Sequence, residues 1–225
     1  MVCVAMFFGA FALAGFIPPL KPHQPAAEIA AHYQTHTTGI RIGGVIMLMS
    51  GMFYAAFVAV VSSQMQRIPG IHRAAVTTQS VAGAFACLTF LVPAMILEVV
   101  AFRPGRPVGD TQMLNDMFWI FLVMPWTPFL TQNYAFAYAI LTDPQERPLF
   151  PRWLAYVNLW SPIIFAPSIM LPFFKTGPFS WAGIFVMWIP AFVFIGQFVA
   201  NVSQLLKAIN SEERALREVR EPQLA

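Results

Sequence analysis

The chain has 225 residues, of which 58% are hydrophobic and only 10% charged, with a mean hydropathy of +0.64. A soluble domain carries roughly a quarter charged residues, so there is too little charge here to coat a water-facing surface, and the 22 Phe, 12 Met and 6 Trp exceed the apolar surface that one soluble core of this length hides. The net charge of +3 is no nucleic-acid footprint, and Cys3 and Cys87 both lie in apolar runs, which supports neither a disulfide framework nor a thiolate metal site.

Six apolar stretches are long enough to cross a hydrocarbon layer of about 30 Å at 1.5 Å per residue: 2–20, 42–61, 80–102, 117–141, 154–174 and 180–206. They predict an all-α polytopic membrane bundle of about six transmembrane helices, several of them proline-kinked, over residues 1–206, followed by a cytoplasmic helical tail over 207–225. The first stretch lacks a basic leading region and is apolar from Met1, so it is expected to be a retained helix rather than a signal sequence.

After it, Glu28, His32 and His36 follow at spacings of four on a short interfacial helix, with His23 ahead of them. Two imidazoles and a carboxylate on one helix face suit zinc, copper or iron, although an interfacial helix carries such residues without any metal, and that plainer reading is favoured. In the second stretch, Gly51, Ala55 and Ala59 allow another helix to approach closely. The third holds Glu98, an ionisable residue inside the membrane. An interfacial pairing with Arg103 or Arg106 is favoured over a proton-carrying role.

The fourth stretch carries Gln132 and Asn133 about one turn from its middle, where neither can face lipid unpaired. Asn158 and Ser161 on the fifth, and Gln197, Asn201 and Gln204 on the sixth, are expected to converge with them, as interhelical glue or as the lining of a polar site. Pro93, Pro125, Pro128, Pro162, Pro167, Pro172 and Pro190 all fall within the predicted spans, where each removes a backbone hydrogen bond, and such places often line cavities. Residues 175–179 make a tight hairpin between the last two helices. In the tail, Asn210 and Glu213 have the spacing of a capping box that opens a helix through Val219.

All six tryptophans pair at a spacing of seven: Trp119 with Trp126, Trp153 with Trp160, Trp181 with Trp188. Two turns put each pair on one face, as an interfacial belt with a deeper second ring, or as a stacking wall for a flat ligand. With loops alternating sides, eight of the 13 Lys and Arg fall on the side of the termini, which predicts both termini in the cytoplasm of a plasma (inner) membrane.

The run PAAEIAAHYQTHTTGIRIGGVIML at 25–48, together with FPRWLAYVNLW and FFKTGPFSW, resembles segments of uncharacterised bacterial multi-pass membrane proteins. That likeness implies architecture and no activity. The function expected from the residues is the binding or passage of a small, mostly apolar molecule in an intramembrane cavity, or an accessory role in a larger membrane complex. Gln132, Asn133, Asn158, Gln197 and Asn201 would orient the molecule, with Trp126, Trp160 and Trp188 as walls. The alternative is a membrane enzyme acting on a lipid-soluble substrate, through Glu28, His32 and His36 as metal ligands or Glu98 as acid or base. The expected partners are the lipid bilayer and either other membrane subunits or a second copy of the chain, with no nucleic acid, and the residues point to no particular cofactor.

Overall fold

In lipid a backbone satisfies its own polar groups only as a helix or in a closed barrel, and long runs that are apolar without a two-residue alternation take the helix. A computed structural model describes residues 1–220, and every regular element among them is helical. In chain order these are α1 (Val2–Leu13), α2 (Ala26–Thr35), α3 (Thr37–Met65), α4 (Arg73–Ala86), α5 (Leu88–Phe102), α6 (Val108–Val123), α7 (Trp126–Leu141), α8 (Arg152–Phe165), a 3-10 segment (Ala166–Phe173), a π segment (Ile184–Trp188) and α9 (Ile189–Arg220).

Four of the resulting helices are long and apolar enough to cross a membrane: Thr37–Met65, Arg73–Phe102, Arg152–Phe173 and Ile184–Glu213. Their outer faces make the point. In the last of them the apolar stretch has a mean hydropathy of 1.8 with only 28% of its residues buried, so the side that a soluble helix would make polar is as oily as the side that packs. Phe102, Phe173 and Phe192, each more than 70% exposed, belong to that outer coat.

Two predicted spans differ from expectation. The first apolar run is helical only over Val2–Leu13, about 18 Å, because Gly15 takes a left-handed φ of 70° and Pro18 and Pro19 follow. The fourth is two helices rather than one. It breaks at Met124 and Pro125, where proline has no N–H to continue the ladder and restricts the residue before it. α6 and α7 have 16 residues each, so neither alone reaches across. The tail also differs, since α9 runs unbroken through Asn210 and no new helix opens there; residues 221–225 of the predicted tail lie outside the described residues.

The loops alternate between two ends of the bundle. At one end, Phe16, Leu20 and Tyr33 from the first connection pack in one cluster with Val100, Ala101 and Trp181, Trp181 donates Nε1–H to the Leu20 carbonyl at 2.7 Å, and Arg41 donates to the Ala101 carbonyl. At the other end, Ile68, Phe150 and Ala208 share a cluster, and Arg67 pairs with Glu212 at 3.2 Å. The α6–α7 pair therefore leads from one end to the other despite its break.

α1 lies closely against α3 because Gly39 and Gly43 have no side chain. A Cβ at Gly39 would stand 2.1 Å from the Leu13 carbonyl oxygen, and one at Gly43 would stand 2.7 Å from that of Ala10. Of the expected small-residue stripe, Gly51 does receive a neighbour, with Leu91 and Phe90 against it. Ala55 and Ala59 instead face outward and are exposed.

Candidate functional site

Three irregular joints meet on one side of the bundle: the α6–α7 break at Pro125, the passage from α8 into the 3-10 segment, and the passage from the π segment into α9 at Pro190. The end of α1 closes the fourth side. Between them is a cavity of about 200 Å³. Its wall is chiefly rings, including Phe7, Phe11 and Phe16 from α1 and its end, Phe90 from α5, Trp126 and Phe129 from α7, and Trp188 and Phe194 from the last helix. Among the described residues no Asp, Glu, Lys, Arg or His lines it. Ile17 and Trp188, 54% and 37% exposed, stand at its rim, so the mouth opens on the apolar outer face of the bundle.

The proline-rich joints hold together through side chains that accept or donate where the helical ladder does not. Trp126 donates its Nε1–H to the carbonyl of Pro162, tying the start of α7 to the last turns of α8. Tyr54, which also lines the cavity, donates its hydroxyl to Gln132 Oε1 at 2.8 Å. Gln132 thus stands behind the wall rather than in it.

The other amides gather a few turns away, between α7, α8 and α9. Asn158 is fully buried and occupies the centre: its Nδ2 donates to the Leu154 carbonyl and to Asn201 Oδ1, both at 2.8 Å, while its Oδ1 accepts from Gln197 Nε2 and Asn201 Nδ2, both at 3.0 Å. Gln197 donates further to Asn133 Oδ1, and Asn133 returns its own Nδ2–H to the Phe129 carbonyl. Asn133, Asn158, Gln197 and Asn201 are therefore one closed network, and none of them lines the cavity. Ser161 and Gln204 stay outside it, Ser161 bonding the Val157 carbonyl and Gln204 reaching Ser203.

Of the three tryptophans expected as walls, Trp126 and Trp188 line the cavity, and Trp160 faces outward at 62% exposure. The six rings do not form one belt. Trp119 and Trp181 are buried and stack at 6.3 Å between centroids, whereas Trp153 and Trp160 lie on the outer face of α8.

Glu98 sits against α3, where only glycine leaves it room: a Cβ on Gly44 would be 2.2 Å from Glu98 Oε1. That oxygen is buried without a hydrogen-bond partner. The expected pairing with Arg103 or Arg106 is not made. Arg106 donates to the Val99 carbonyl at 2.7 Å, and among the described residues the one ion pair is Arg67 with Glu212.

On α2, the rings of His32 and His36 stack at 4.3 Å, and Gly15 gives them the space. His32 Nε2 contacts the Ala14 carbonyl at 3.1 Å, and Glu28 lies near Gln24 at 3.4 Å rather than closing on the imidazoles. Burial pushes the His32 pKa below its ordinary value, with His36 adding to the shift and the Ala14 carbonyl opposing it. Among the described residues no three His, Cys, Asp or Glu side chains gather as metal ligands.

The residues that sequence reasoning missed are Tyr54, Ser168 and the phenylalanines of α1. The spacing of Phe7 and Phe11, one turn apart, was the available signal for the last of these. No protein-family model, curated protein or solved structure matches the chain, and its function is read from its own residues.

Proposed function

We propose that this protein crosses the plasma (inner) membrane about six times, with both termini cytoplasmic, and binds or passes a small, mostly apolar molecule in the ring-lined cavity. The carrying observation is that the three breaks in helical regularity and the end of α1 converge on a single apolar space. Non-helical backbone at membrane depth is tolerated where it is buried in protein or lines a cavity, and binding sites of membrane transporters are built from such discontinuous helices. A rim of exposed Ile17 and Trp188 suits a molecule that arrives sideways from the lipid.

The number of crossings rests on the alternation of loops between the two ends of the bundle, with α6 and α7 counted together and the whole apolar run 2–20, of which α1 is the helical part, counted as the first. The orientation rests on the eight of 13 Lys and Arg that fall on the side of the termini.

The test is mass spectrometry of organic extracts from the protein purified in mild detergent, beside an Ala191→Trp variant, since Ala191 lines the cavity and a large ring there fills it. The wild type should release a small neutral molecule that the variant retains at least about tenfold less, with melting temperatures alike. Equal retention by the two proteins, or none by either, would overturn the reading.

A further inference from the structure

Serine and threonine hydroxyls in this chain usually bond a carbonyl one turn back, as Ser161 does to Val157 at 2.8 Å, Thr131 to Thr127 at 2.9 Å and Ser80 to Val76 at 3.0 Å. Ser168 breaks the habit. It lies in the 3-10 segment between Pro167 and Pro172, whose tighter winding moves the preceding carbonyls. It is 3% exposed, it lines the cavity, and its Oγ has no hydrogen-bond partner. Among the described residues it is the sole buried hydroxyl in that condition. A buried hydroxyl without a partner costs roughly 1–3 kcal/mol, so whatever occupies the cavity gains by answering it.

The rest of the wall narrows the chemistry. Tyr54 is engaged with Gln132, Thr89 with the Ala86 carbonyl at 2.6 Å and Trp126 with the Pro162 carbonyl, while Trp188 stands partly exposed at the rim. Among the described residues Ser168 is therefore the one buried hydroxyl on the wall that makes no hydrogen bond at all. With no charged side chain among the described residues along the wall, an ion would enter without compensation for its lost hydration. A dry cavity of about 150 Å³ holds benzene, so a space of about 200 Å³ takes one substituted ring.

Resting on the cavity-binding reading above, we infer that the ligand is a neutral, single-ring molecule with one hydroxyl or carbonyl group, and that Ser168 is the residue that recognises that group. The hydroxyl of Ser168 can donate to a carbonyl or accept from a hydroxyl, which is why either group satisfies it.

The test uses three probes built on one ethylbenzene frame: 4-ethylphenol, ethylbenzene and 4-ethylbenzoate. Each is dialysed to equilibrium against the full chain in nanodiscs, with empty nanodiscs subtracting lipid partition. 4-Ethylphenol should bind about tenfold more tightly than ethylbenzene, the equivalent of about 1.4 kcal/mol, and the benzoate should not bind. Ser168→Ala should bring the phenol to within about twofold of ethylbenzene and leave ethylbenzene unchanged. Equal binding of phenol and ethylbenzene by the wild type would overturn the hydroxyl inference and leave the cavity reading standing. A phenol preference that survives Ser168→Ala would remove Ser168 from the role, and binding of neither neutral probe would overturn both readings.

Discussion

The interior of this bundle holds two unlike regions a few turns apart. Between α7, α8 and α9, four amides satisfy one another around Asn158; beside the α6–α7 break, a ring-lined space keeps one hydroxyl unanswered. Polar residues inside a membrane invite a functional reading by default. Here the polar region is complete and the apolar region is not. Satisfaction, rather than polarity, separates the part that holds the helices together from the part with room for something else.

The largest expected effect tests the closed region. Asn158→Ala removes four hydrogen bonds and leaves Gln197 and Asn201 short of partners, at roughly 1 kcal/mol each, so thermal unfolding in detergent should show a loss of about 2 kcal/mol with ligand retention unchanged. Lost retention at unaltered stability would make the amides ligand groups and erase the distinction between the regions. Tyr54→Phe links the two, because it frees Gln132 Oε1 behind the cavity wall. About 1 kcal/mol of stability should go while retention falls by no more than about threefold.

A smaller change is expected at Trp160. Its ring faces outward, and Trp160→Ala should alter stability in detergent by less than about 0.5 kcal/mol and leave retention intact; a loss of retention would return the ring to the wall. The weakest effect concerns His32. Its folded-state pKa lies below the ordinary 6.5, so the unfolded chain takes up the proton first. Stability should be full above that value and fall as pH drops through 6.5 and below, and melting curves between pH 8 and 5 should lose part of that slope in His32→Gln.

Much of the fold was legible because oil-facing helices are apolar on every side. The run at 42–61 marks α3, seen as Thr37–Met65, and 154–174 nearly coincides with Arg152–Phe173. The amide network was legible too, since Gln197 and Asn201 lie one turn apart. What composition could not tell was how neighbouring residues divide: adjacent Gln132 and Asn133 point about 100° apart on a helix, so one meets α3 and the other α9.

Other features were hidden by the same averaging. Proline announced a disturbance at Pro125, but only the surroundings decide whether a helix kinks or stops. The seven-residue spacing of Trp119 and Trp126 did not reveal that Trp119 is wholly buried against Trp181. Ser168 resembles any other membrane serine until the 3-10 winding around it is seen.

The most direct measurement is a crystal structure of the chain purified from its own membrane in mild detergent. Density for one compact molecule should lie between Trp126 and Trp188, within hydrogen-bond distance of Ser168 Oγ. Rings collapsed across the gap, or a chain of waters through it, would contradict the account.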